Sequence, residues 1–119
     1  MRMRSYEDLL VWQKAMSLAK KVYLVQKSLP KEEVYALGDQ IRRAVVSVPS
    51  NIAEGFGRGS DIEFNRFLLI ARGSLFELKT QLQLANELGF IQLDVDLVSL
   101  IDEVGKLING LSKKLTANS

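Results

Sequence analysis

Apolar residues recur at intervals of three and four along almost the whole chain, the spacing that gathers side chains on one face of an α-helix. The strict alternation of a half-buried strand appears nowhere. Short breaks divide the pattern into four runs, which predicts helices over about 6–28, 33–56, 61–88 and 95–115.

In the first run, Trp12, Met16, Ala19 and Tyr23 share one face, and Val11, Ala15, Leu18, Val22 and Val25 continue around it. The apolar arc is wider than a single packing seam requires. Ser5 with Asp8 reads as a helix start, and Leu29-Pro30 as its end, because proline disfavours helical geometry in the residue before it. The second run carries three stripes. Val34, Leu37, Ile41, Ala44, Val45, Val48 and Ile52 form the main apolar one; Gln40, Arg43, Ser47, Asn51, Glu54 and Arg58 form a polar one; Arg42, Val46, Pro49, Ala53 and Phe56 form the third. Pro49 removes a backbone hydrogen bond and crowds the Val45 carbonyl, so a bend is expected there. Ser50 and Asn51 are expected to serve the freed carbonyl groups and to turn toward an interface. Gly55 to Gly59 follows without a preceding strand and without Gly-Lys-Ser/Thr, so it reads as a helix end and chain reversal rather than a phosphate loop.

Ser60 and Glu63 form a capping box at the start of the third run. Its polar residues Asn65, Arg72, Lys79, Gln83 and Asn86 make one narrow strip, and most of the rest is apolar or small. A helix with so little polar surface predicts cover from another subunit. Gly89 closes this helix and Asp94 caps the fourth, whose stripe is Leu97, Leu100, Ile101, Val104, Leu107, Ile108, Leu111 and Leu115. Four long helices with short links predict an all-α fold: an antiparallel up-down-up-down four-helix bundle, one domain over residues 1–119.

Composition narrows the chemistry. The 119 residues include no cysteine and no histidine. That excludes disulfides and thiolate metal sites, and removes the commonest general base and metal ligand. Glu54, Glu63 and Glu77 could suggest a carboxylate-bridged metal pair, but such bundles use Glu-x-x-His motifs. These acids read instead as partners of Arg42, Arg43, Arg58 and Arg66, since the guanidinium fork suits carboxylates. We therefore expect no catalytic residues, no metal and no cofactor. No apolar run is long enough to span a bilayer, and the N-terminus lacks the features of a signal peptide, so a cytoplasmic protein without a membrane partner is expected.

The net charge is only +2, but it is uneven. Residues 1–58 hold ten Lys/Arg against six Asp/Glu, and residues 59–119 hold six against eight. The basic half could face RNA or DNA, with Arg42, Arg43, Arg58, Lys14 and Lys21 as contacts, or could pack against the acidic half. Apolar positions also exceed what a bundle core uses: Val46, Pro49, Ala53 and Phe56 on the second helix, and Ile62, Leu69 and Phe76 on the third. Left open they would form a patch larger than monomers tolerate, so they predict a homo-oligomer interface, continuous across the Gly55–Gly59 turn.

Several segments together carry a family resemblance: Tyr6-Glu7-Asp8-Leu9, Val11-Trp12-Gln13-Lys14-Ala15, Gln40-Ile41-Arg42-Arg43-Ala44, Val48-Pro49-Ser50-Asn51-Ile52-Ala53-Glu54-Gly55, Gly57-Arg58, Phe67-Leu68, Ala71-Arg72-Gly73-Ser74 and Glu77-Leu78. The chain resembles the four-helix-bundle family of 23S rRNA intervening-sequence proteins over nearly its whole length, most weakly after Leu93. The resemblance implies a ring-like pentamer. It also implies kinship with the accessory variability proteins of diversity-generating retroelements, which bind nucleic acid. It supplies no catalytic residues. A non-enzymatic RNA- or DNA-binding oligomer is the leading expectation. A scaffold or assembly protein that acts through protein contacts alone is the alternative.

Overall fold

The structure, a computed structural model, describes residues 5–117. They form helices α1 (Leu10–Val25), α2 (Leu37–Phe56), α3 (Asp61–Glu87) and α4 (Val95–Ala117), with no strand among the described residues. The last two agree with the expected ranges to within a residue or two. The first two are shorter than periodicity predicted, for local reasons.

Tyr6–Asp8 is a single 3-10 turn, and Leu9 then adopts extended geometry before α1 begins. The break drives Leu9 into the core and folds Tyr6 edge-on against Trp12, ring centroids 5.2 Å apart. Ser5 Oγ caps this turn, accepting from the Glu7 N–H at 3.1 Å. The other end of the first run breaks into a second 3-10 turn, Gln26–Ser28, followed by extended Leu29 and Pro30. The second helix starts at Leu37 rather than near 33. Lys31–Glu33 is another 3-10 turn, and Ala36 leaves helical geometry altogether. Arg42 holds this connection open by donating to the Val34 carbonyl at 2.8 Å.

Around Pro49, α2 stays helical through Phe56. The expected service to the freed carbonyl is not what Asn51 provides. Its side-chain amide instead donates to the Ser47 carbonyl at 2.8 Å and lies 2.9 Å from Ser47 Oγ, which meets Ser74 Oγ on α3 at 2.7 Å. Ser50 is exposed. The link to α3 is also where Gly55 belongs. A Cβ there would stand 2.6 Å from Phe67 Cβ, so only glycine lets the two backbones approach this closely. The chain reversal itself falls to Gly59, at φ +85°.

Beyond the turn, Ser60 Oγ accepts from the Glu63 N–H at 3.2 Å to start α3. Gly89, at φ +78°, ends it with the paired bonds of a Schellman motif, Phe90 N–H to Ala85 and Gly89 N–H to Asn86. Asp94 caps α4, accepting from the Leu97 N–H at 2.7 Å.

One continuous core joins all four helices. Leu18, Val22, Ile41, Val45, Val48, Ile52, Leu68, Leu78, Leu82, Val104 and Ile108 are fully buried in it. The wide apolar arc of α1 divides in two. Val11, Ala15, Leu18 and Val22 enter the core, whereas Trp12, Met16 and Ala19 are half-buried and Tyr23 is 41% exposed.

The polar strip of α3 is the main departure. It faces α4 rather than solvent alone. Asn65 accepts from the Ser112 hydroxyl, Arg72 donates to Asn109 at 3.1 Å, and Lys79 lies 3.6 Å from Asp102. The open side of α3 carries apolar residues instead, with Ile62 73%, Leu69 40% and Phe76 60% exposed.

Candidate nucleic-acid interface

Five cations were singled out by sequence, and their surroundings divide them. Arg42 is tied down: its guanidinium donates to Gln26 Oε1 at 2.6 Å, to the Val34 carbonyl and to Asp39. It fastens the 26–36 connection to α2 and has little left to offer a phosphate. Arg58 pairs with Glu54 at 2.8 Å, one helical turn away, and its guanidinium lies over the Phe67 ring, 4.8 Å from the centroid. Lys14 reaches Glu103 on α4 at 3.5 Å. These three are engaged within the chain.

Arg43 and Lys21 remain. Both are exposed, and among the described residues neither has an ion-pair partner. Lys20 and Lys27, further lysines of the first predicted helix, are equally unpartnered; seven residues apart in the sequence, they fall on one side of that run. Arg43 shares a surface hollow with Tyr23, and Lys20 and Lys27 flank the same tyrosine on the other side. Arg43, Lys20 and Lys27 thus form a cluster of cations around one exposed aromatic ring, whereas Lys21, seven residues after Lys14, falls on the α1 face that borders α4. Such a combination suits phosphate contacts with a base stacked on the ring.

That ring also opens onto a larger feature, an apolar groove of about 850 Å³ between α1 and α2. Trp12, Met16 and Tyr23 form one wall, and Val46, Pro49 and Ala53 the other. Pro49 is buried at the floor of the groove, and Phe56 is half-buried, edge-on to Phe64 at 5.8 Å. Moreover, Ile62, Leu69 and Phe76 do not line the groove. The exposed apolar residues thus include a groove between α1 and α2 and a ridge on α3.

Among the described residues no three acids gather where they could hold a metal ion, and no helix is long and apolar enough to cross a membrane. Comparison with curated proteins gives no match. A family model described as 23S rRNA-intervening sequence protein matches residues 7–110, which takes in all of α1 to α3 and most of α4. On that match the chain belongs to the 23S rRNA-intervening sequence protein family.

Proposed function

We propose that this protein is a non-enzymatic, cytoplasmic homo-oligomer that binds RNA through the cation cluster of α1 and α2. In this reading its helices run up-down-up-down, each antiparallel to the next. The cross-links support that course: residues 47 and 55 of α2 meet 74 and 67 of α3, and residues 65, 72 and 79 of α3 meet 112, 109 and 102 of α4. A ring-like pentamer is the assembly that the family resemblance implies.

The observation that carries nucleic-acid binding is the contrast among the cations. Arg42, Arg58 and Lys14 are engaged within the chain, while among the described residues Arg43 on α2, Lys20 and Lys21 on α1 and Lys27 in the turn after α1 have no ion-pair partner. Repetition around an oligomer would multiply this modest charge into a field that attracts a polyanion. Binding to RNA and to DNA over a salt series tests it. Phosphate contacts release counterions, so affinity should fall steeply and log-linearly with salt. Arg43→Ala should weaken binding to all sequences alike and reduce the salt slope by about one unit per subunit contact. Salt-independent binding, or an unchanged slope in Arg43→Ala, would remove the cluster from the interface.

The scaffold reading has its own support in the exposed ridge and the apolar groove, surfaces suited to protein rather than phosphate. Absence of RNA and DNA binding from an intact oligomer would favour it.

A further inference from the structure

We infer that the α1/α2 groove takes the bases of single-stranded RNA, while the cations beside it hold the phosphates of the same strand. The inference rests on the RNA-binding reading above and narrows its ligand to an unpaired strand. Two chemistries lie side by side here. Trp12, Met16 and Tyr23 form one apolar wall, with Pro49 and Ala53 opposite, around a volume of about 850 Å³. A phosphate placed between these walls would lose its water without gaining a partner. The face of a base loses little there and gains an aromatic surface to stack on. Lys20 and Lys27 line the same groove, and among the described residues no acid does. Arg43 stands on the far side of Tyr23, in the adjoining hollow. None of these three cations has an ion-pair partner among the described residues. An apolar protein segment would fill the groove and leave the charges unanswered. A polyanion whose apolar faces are open answers both.

Dimensions point to a strand rather than a lone nucleotide. From Trp12 to Tyr23 the groove wall runs about 16 Å along α1. Successive nucleotides of a stacked strand are separated by about 3.4 Å, so the wall spans several. Tyr23, 41% exposed, offers the more open ring; Trp12, half-buried and steadied edge-on by Tyr6, lies three turns away on the same wall. A duplex answers only half of this arrangement. Its bases already stack on one another, and the A-form major groove is too deep and narrow for side chains to read. It meets the cations and leaves the groove empty. Unpaired bases splay out and are free to stack on protein rings. Because every base has such a face, the preference for single strands should hold across sequences.

An oligouridylate and an RNA duplex of equal length test the inference, with affinity and tryptophan emission as separate readouts. Trp12 is the only tryptophan of the chain, so its emission reports on the groove alone. The single strand should bind more tightly than the duplex and quench Trp12 at saturation; the duplex should leave that emission unchanged. Tyr23→Ala should weaken single-strand binding by about 5- to 150-fold, the range that loss of one stacked base implies, and leave duplex binding nearly as it was. Tyr23→Phe, which keeps the ring, should retain the preference. Arg43→Ala should weaken both forms alike, since phosphates are common to both. Should circular dichroism show Tyr23→Ala unfolded, Tyr23→Leu replaces it, keeping bulk without a ring. A duplex bound as tightly as the single strand, a saturating single strand that leaves Trp12 unquenched, or full affinity without the Tyr23 ring overturns the inference. Each leaves phosphate binding by the cations intact and gives the groove to an apolar protein segment. Failure to bind either RNA overturns the RNA-binding reading as well.

Discussion

Gly55 and Gly110 both sit inside helices, yet a methyl group should affect them in opposite directions. At Gly55 it would meet Phe67 Cβ at 2.6 Å and the Phe64 ring at 3.1 Å, whereas at Gly110 it would meet nothing within 4 Å. Alanine favours a helix over glycine by about 1 kcal/mol. Overpacking a rigid contact costs about 1–3 kcal/mol. Gly110→Ala should therefore stabilise the chain slightly, and Gly55→Ala should destabilise it, both read from urea midpoints. Equal midpoints would mean that α2 and α3 do not meet as closely as Gly55 requires. Sequence could not separate these glycines, because what distinguishes them is a neighbour on another helix. The same holds for Arg42 and Arg43, adjacent in the chain. One is fixed by Gln26 and Val34, residues of an irregular connection that no periodicity describes, and the other is left unpaired.

At the scale of the helix, α3 sets the sharpest contrast. Leu78 is fully buried, and Phe76, two residues away, is 60% exposed. Leu78→Ala should cost about 2–5 kcal/mol through the cavity it leaves. Phe76→Ala, in chains dilute enough to be monomeric, should change stability by no more than about 0.5 kcal/mol. Comparable losses at both sites would mean that the single chain already covers Phe76. Periodicity located α3, its caps and its core stripe, because burial on one side imposes a regular repeat. It found the polar strip, whose Lys79, Gln83 and Asn86 are exposed, but not the helix that strip borders. Asn65, Arg72 and Lys79 looked like the wet side because polar residues usually face water. Here they cross-link to α4 through Ser112, Asn109 and Asp102, and the apolar stripe faces outward. Spacing alone leaves open which of two stripes faces the neighbouring helix. The same ambiguity affected α1, whose Trp12–Tyr23 face lines the groove and whose Val11–Val22 face fills the core.

For the whole molecule, the surface left by folding has a thermodynamic consequence. A monomer keeping Ile62, Leu69, Phe76 and Val46 in water forgoes the burial that stabilises most chains of this size. If copies cover these residues for one another, association favours the folded state alone, since an unfolded chain has no such surface. Mass action then makes the melting temperature depend on concentration. Each tenfold rise above the dissociation constant adds about 1 kcal/mol of stability per subunit. For a domain of this length that is an increase of about 3–6 °C. Melts followed by circular dichroism across a hundredfold range of concentration should trace that rise for the unaltered chain. They should give one fixed midpoint for Phe76→Lys, whose ridge cannot dock. Both proteins should converge at the lowest concentrations, where each is monomeric and loses only its own core on unfolding. A midpoint that stays constant for the unaltered chain while light scattering finds an oligomer would mean that its subunits meet without stabilising their fold. The exposed apolar surface would then call for an occupant other than this chain.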